Sequence, residues 1–288
     1  MSASCVMVAA VRCAVKSRRR WRSRSWFGNL RGSPERHILN PTKVQTLAPP
    51  NTGQKAFIRP GFRWDAADAY LFDIDGTLLN SRDAVHYFSF LNASREILGR
   101  EITLEGVLVH GNTDPGILRG ALRLAGMDDV SINIYLPQIV ERMCAEVERN
   151  QSNMRPELCP SIPELINYLT LRGKLLGAAS GNLERVGWLK LEKAGLRPMF
   201  AFGSFSFPRQ SRAEIFAHGI ALAHQRLGEQ TTVFVVGDTP SDIEAAHAVD
   251  APVIALATGI FSFSDLVACN PDACFACASD LLALNQTT

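Results

Sequence analysis

No apolar run in this 288-residue chain approaches the ~18 residues of a membrane span, so no membrane partner is expected. Seven cysteines suggest no disulfide framework at this length, and they fit a reducing compartment. A cationic surplus is missing from the body of the chain. Residues 1–50 hold ten Lys/Arg against one acidic residue, Glu35, a net +9; the remainder holds 20 Lys/Arg against 27 Asp/Glu, a net −7. The mildly acidic body argues against a nucleic-acid surface, and no specific nucleic-acid partner is expected. Lysine is absent altogether after Lys193. What is present is a 47% hydrophobic fraction, enough to fill the core of one domain with an insert or of two small domains.

Residues 1–65 differ from the rest. Ser17-Arg18-Arg19-Arg20-Trp21-Arg22-Ser23-Arg24 is a basic run, and Pro41, Pro49, Pro50 and Pro60 punctuate the remainder of the segment. Arg- and Ser-rich, acid-poor N-termini resemble organelle transit peptides; a disordered tail and an over-long gene model are the competing readings. The segment is read as a basic, disordered extension. The expected location is cytoplasmic, or organellar if the extension is a transit peptide.

The stretch Ala69-Tyr70-Leu71-Phe72-Asp73-Ile74-Asp75-Gly76-Thr77-Leu78-Leu79-Asn80 organises the chain. A short buried strand ends in two carboxylates one residue apart, which repel unless a cation or a shared proton separates them. Gly76 supplies a turn and a close backbone approach. From Ser81 to about Met154 the apolar residues recur at helical spacing: Ala84-Val85, Phe88, Leu91 and Ile97-Leu98, then Ile117 to Ala125, then Ile139 to Val147. Within this helical stretch lies His110-Gly111-Asn112-Thr113-Asp114-Pro115, where Thr113 or Asp114 caps the next helix and Pro115 sits in its first turn.

Strands and helices alternate again after Pro160. Ile162 to Leu171 reads as a helix. Leu175 to Ala179 reads as a strand that ends in Ser180-Gly181-Asn182, and a helix to Lys193 follows, stopped by Gly195; such a strand-to-helix turn is a ready anion site. Met199 to Phe207 reads as a strand. Ser211-x-x-Glu214 reads as a capping box opening a helix to Leu227, with Arg212 in its first turn. Thr232 to Val236 is a buried strand that ends in Gly237-Asp238-Thr239-Pro240-Ser241-Asp242. A strand at Pro252 to Ala257 and a helix around 262–268 come next. Cys269, Cys274 and Cys277 have a C-x4-C-x2-C spacing, but a fourth ligand is missing, and buried apolar cysteines are the expected reading.

Asp73-Ile74-Asp75-Gly76-Thr77-Leu78-Leu79 resembles the first motif of the haloacid dehalogenase (HAD) superfamily, and Gly237-Asp238-Thr239-Pro240-Ser241-Asp242 resembles its fourth. The resemblance runs over about residues 66–288 with all four motifs in order. It implies a doubly wound, parallel α/β core at 66–80 and 156–288, and an all-helical cap at 81–155. It implies a magnesium-dependent phosphatase acting on a small phosphorylated metabolite. Asp73 is then the nucleophile and Asp75 the proton donor and acceptor. Asp73, the Asp75 backbone carbonyl and Asp238 hold the metal, with Asp242 supporting. Thr77, Ser180, Gly181, Asn182 and Arg212 serve the phosphate or its turn. Arg212 stands where the superfamily usually has a Lys, a planar fork in place of a point charge. A substrate-facing cap loop assigns specificity to His110, Asn112 and Asp114. A phosphomutase-type phosphotransferase is the rival reading; intact Asp73, Asp75 and Asp238 argue against a non-catalytic phosphate sensor. Dehalogenation is disfavoured by Asp75, and phosphonate hydrolysis by the lack of any Lys between Thr77 and Arg172.

Overall fold

Ala69-Tyr70-Leu71-Phe72 is apolar at every position, and all four residues are buried. A strand covered on both faces belongs at the centre of a parallel sheet. The computed structural model describes residues 55–81 and 83–284 and places this strand there. Its elements are β1 (Ala56–Ile58), β2 (Ala69–Phe72), β3 (Leu79–Ser81), α1 (Val85–Leu98), α2 (Asp114–Leu124), α3 (Asp129–Arg149), β4 (Pro156–Leu158), α4 (Ile162–Leu171) and β5 (Leu175–Leu183). After these come α5 (Glu184–Lys193), β6 (Phe202–Ser206), α6 (Arg212–Leu227), β7 (Val233–Gly237), α7 (Pro240–His247), β8 (Val253–Leu256), α8 (Phe263–Val267), β9 (Ala273–Phe275) and α9 (Ala278–Ala283).

The main sheet runs β1-β9-β8-β7-β2-β5-β6 and is parallel except for β1, which pairs antiparallel with β9. The chain leaves β2 for β5 and β6 on one side, then returns to β7 on the other. That reversal opens a crevice at the C-terminal end of β2, the place where open α/β sheets bind ligands. Helices cover both faces. Tyr70 and Phe72 pack with Ile162 and Ile166 of α4 and Leu281 of α9. Leu71 packs with Ile215 and Phe216 of α6 and Ile243 of α7. The doubly wound α/β core is thus observed.

Helices α1, α2 and α3 lie between β3 and β4, which pair antiparallel as a separate two-stranded ribbon. The apolar sides of these helices join one cluster with Leu183, Val186 and Leu189 at and after the end of β5.

Two expectations are corrected. The N-terminal extension was expected to reach residue 65, and for residues 1–54 that expectation lies outside the described residues. From residue 55 on the chain is folded: β1 extends the sheet, Trp64 is buried, and its carbonyl accepts the Tyr70 hydroxyl at 2.9 Å. Only three residues long and half-buried, β1 has too short a pattern to stand out in a proline-punctuated segment. The second concerns β5, expected to stop before Ser180-Gly181-Asn182. It continues to Leu183 through a shift of register against β6 between Ser180 and Leu183. Such irregularities re-aim side chains beside functional sites.

Candidate active site

Asp73 follows the last residue of β2, and its amide donates to the carbonyl of Val236 in β7 at 2.9 Å. The adjoining parallel strand therefore fixes its backbone. Asp238 follows the last residue of β7, and Asp242 lies in the first turn of α7. Carboxylate oxygens of Asp73, Asp238 and Asp242 lie within 4.8 Å of one another, and all three residues are buried. Asp75 stands outside this group, 41% exposed at the side chain.

Each buried acid has its own support. Thr77 Oγ1 donates to Asp238 Oδ1 at 2.9 Å, so Thr77 orients Asp238. Gly76 has φ +90°, and a Cβ there would collide with the Asp238 carboxylate; the turn needs glycine for both reasons. Asp242 is engaged by the helix start: Thr239 donates to its Oδ2 through Oγ1 at 2.7 Å and through its amide at 3.0 Å. The Arg212 guanidinium is buried between two acids. Its Nη2 bonds Asp242 Oδ1 and lies 3.0 Å from Asp73 Oδ1. That second contact lacks hydrogen-bond geometry. Asp73 Oδ1 and Arg212 Nε are both buried without a hydrogen-bond partner. Arg209 turns away and donates to the Phe205 carbonyl at 3.1 Å.

The electrostatics follow from this packing. Burial pushes the Asp73 carboxyl up to about 6; Arg212 pulls it down, while Asp242 and Asp75 push it up. Burial first, then Asp242 and Asp73, raise Asp238 well above the ordinary carboxylate range. The flanking acids hold the Arg212 guanidinium more firmly charged despite the cost of burying it. For Asp75, desolvation works upward, but the charge of the Lys190 ammonium and the hydrogen bonds from Lys190 and Asn182 outweigh it, and the carboxyl lies below its ordinary value.

The loop Ser180-Gly181-Asn182 lies beside Asp75. Asn182 Nδ2 donates to Asp75 Oδ2 at 2.7 Å and to Ser180 Oγ at 2.8 Å, so these side chains brace Asp75. They do not start a helix: Leu183 is the N-cap of α5 and offers no side-chain cap. Gly181 is a point of close approach. A Cβ there would lie 2.5 Å from the carbonyl oxygen of Asn112 and 3.2 Å from Arg212 Nη1.

The loop before α2 thus meets the core. Thr113 caps α2, accepting from the Gly116 amide at 3.1 Å, and donates to the Gln210 carbonyl at 3.0 Å. Asn112 is spent on the loop itself, bonding the Leu108 carbonyl and the Thr113 amide. Asp114 accepts from the Leu183 amide at 2.8 Å and meets His86 Nε2 at 3.1 Å. Of the three residues expected to read substrate, His110 alone is not tied up in this way; burial depresses its basicity, with Asp75 near enough to oppose this.

Sequence reasoning missed Lys190 and His86. Lys190 Nζ donates to Asp75 Oδ2 at 2.6 Å. The available signal was its place on the apolar face of α5, one turn after Val186. Thr258 was also missed; its hydroxyl donates to the Gly76 carbonyl at 2.6 Å. Among the described residues, Cys269, Cys274 and Cys277 form no metal-ligating group, and no helix is long and apolar enough to cross a membrane.

Known proteins resemble this chain in sequence and in fold. A phosphoglycolate phosphatase from Synechococcus elongatus is 29% identical over 217 residues, covering 74% of this chain and 95% of that protein. A predicted phosphoglycolate phosphatase from Haemophilus somnus 129pt superposes with a TM-score of 0.57 at 19% identity, over 76% of this chain and 98% of that one. A predicted phosphatase from Clostridium acetobutylicum gives 0.58 at 15% identity, over 77% and 99%. A HAD-hydrolase-like family model matches residues 217–284. The model of the haloacid dehalogenase-like hydrolases matches residues 67–250, from just before β2 to just past α7, and the chain belongs to that family.

Proposed function

We propose that this HAD-family enzyme is a magnesium-dependent phosphatase that hydrolyses a small phosphate monoester through an aspartyl-phosphate on Asp73. The observation that carries the reading is the pair of buried atoms without a hydrogen-bond partner, Asp73 Oδ1 and Arg212 Nε, within one acidic site. An acceptor and a donor left without hydrogen bonds in a protein interior cost free energy unless a ligand meets them.

The donor set fits a hard cation. Asp73 and Asp238 offer carboxylate oxygens at close range, and their raised basicity in isolation is the expected mark of acids gathered for a cation. Asp73, Asp238 and the Asp75 carbonyl would hold the ion, with Asp242 acting through Arg212 and Thr239. When bound, it screens the nucleophile from the anionic ester and neutralises charge on the transferring oxygens.

The chain's own groups supply the rest. Asp73 attacks phosphorus, and the bond from phosphorus to the leaving oxygen breaks. Protonated Asp75 gives that oxygen its proton. Water then attacks the aspartyl-phosphate, Asp75 takes the water's proton, and the Asp73 carboxylate is released with inorganic phosphate. Held ionised by Lys190, Asp75 stands in the form the second half requires. Arg212 binds the equatorial phosphate oxygens through Nε and its remaining N–H groups. The loop at His110 faces the leaving group.

Phosphoglycolate heads the substrate panel, because the curated relative of that name is matched over nearly its whole length. The test is turnover of phosphoglycolate, sugar phosphates, nucleotides and an aryl phosphate, with magnesium and with EDTA. Turnover should stop in chelator and return with magnesium, and Asp73→Asn should be inactive while still folded. Undiminished turnover in chelator would sink the metal assignment, and steady turnover by Asp73→Asn would rule out the covalent route.

A further inference from the structure

Lys190 carries a buried ammonium whose contacts extend beyond Asp75. Its side chain is 3% exposed. Three N–H groups face three acceptors: Asp75 Oδ2 at 2.6 Å, Asn182 Oδ1 at 2.8 Å and His86 Nδ1 at 3.1 Å. A lysine only donates, so His86 Nδ1 is bare and its proton sits on Nε2. That Nε2 lies 3.1 Å from Asp114 Oδ2. The same Asp114 oxygen accepts the Leu183 amide at the start of α5. One tautomer of neutral His86 therefore satisfies every link.

The chain of contacts crosses between insert and core twice. Asp75, Asn182, Leu183 and Lys190 belong to the core, and His86 and Asp114 to α1 and α2 of the insert. Moving the insert off α5 breaks both crossings. The Leu183 amide then loses its side-chain acceptor, and Lys190 loses one of its three. A buried ammonium short of an acceptor re-seeks one, and the group it already holds is Asp75.

We propose that Lys190, His86 and Asp114 form a positioning chain that ties the seating of the helical insert to the setting of the Asp75 carboxylate. This rests on the reading of Asp75 as the proton-transfer residue. The chain is complete only when α1 and α2 are seated on α5, so Asp75 is best held, and proton transfer favoured, over a covered site. None of the three needs to touch the substrate.

The experiment compares an alkyl phosphate with a dinitrophenyl phosphate, whose good leaving group needs little protonation. Lys190→Met, His86→Ala, Asp114→Ala and Asp75→Asn are assayed in the full chain with magnesium, singly and with each of the first three combined with Asp75→Asn. Each positioning variant should lose about tenfold or more in kcat/KM on the alkyl ester and markedly less on the aryl ester. Added to Asp75→Asn, each should cost no more than about threefold further, because its effect runs through Asp75. Asp114→Asn keeps an oxygen for both donors and should restore most of the Asp114→Ala loss. Thermal denaturation accompanies each assay. If Lys190→Met does not fold, His86→Ala carries the same comparison from the insert side.

Equal losses on both esters, or full losses persisting in the Asp75→Asn background, would overturn the chain as a positioning device. Failure of Asp75→Asn itself to discriminate between the esters would instead overturn its proton-transfer role. The two failures are thus distinguishable.

Discussion

Arg212 and Arg209 are three residues apart, yet their surroundings make them opposites. Arg212 is buried against Asp73 and Asp242, while Arg209 bonds a main-chain carbonyl. Arg212→Ala removes a guanidinium whose Nε is unpartnered in the site, so inhibition by inorganic phosphate should weaken by about tenfold or more, as expected for a charge-assisted hydrogen bond. Arg209→Ala should stay within about twofold, since its guanidinium is engaged with backbone. Product-inhibition kinetics on both variants decide it; equal small shifts would remove Arg212 from the phosphate site. The HAD resemblance implies a cation here, and Arg212 meets that expectation because no Lys follows Lys193 and the residue opens a helix. Nothing comparable marked Lys190 as a partner of Asp75. A pair 115 positions apart depends on how α5 packs, and local pattern carries no record of that.

Helix starts were legible because capping is local chemistry. Ser211 and Glu214 form the expected box, and Asp242 with Thr239 forms another that also steadies an acid of the site. The end of β5 was not legible, since a register shift depends on the neighbouring strand. The helix expected to follow Asn182 and run to Lys193 is α5, but the Asp114 carboxylate that meets its Leu183 amide was not legible, because it comes from a distant part of the chain. The least visible element was β1. It covers the open edge of β9, and Arg59 Nη1 pairs with Asp272 Oδ1 at 2.7 Å just beyond it. A chain beginning at residue 61 exposes that edge and should melt lower and aggregate more readily than one beginning at residue 55. Parallel melting and light-scattering curves for the two truncations test this. Identical curves would mean that β1 contributes nothing to the sheet.

The whole molecule gathers like charges at one crevice, and its stability should record that. A free carboxyl titrates near ~4 in the unfolded chain. In the fold, Asp73 titrates at about 6, and Asp238 lies well above its ordinary value. Between these limits the folded chain keeps protons that the unfolded chain has released. These two groups therefore stabilise the metal-free fold fully below ~4, and the contribution is lost as pH rises through about 6 and beyond. Asp75 acts with the opposite sign. Its depressed carboxyl contributes above its unfolded value and loses that contribution as the solution becomes strongly acidic. In EDTA the protein should thus melt higher at about pH 5 than at about pH 7.5. Magnesium favours the ionised acids, so it should raise the melting temperature more at the higher pH. Asp238→Asn removes one of the raised carboxyls and should shrink both the slope in EDTA and the magnesium increment. A metal-free protein that gains stability toward neutral pH, with a slope unchanged by Asp238→Asn, would show that the clustered acids do not govern the fold in this range.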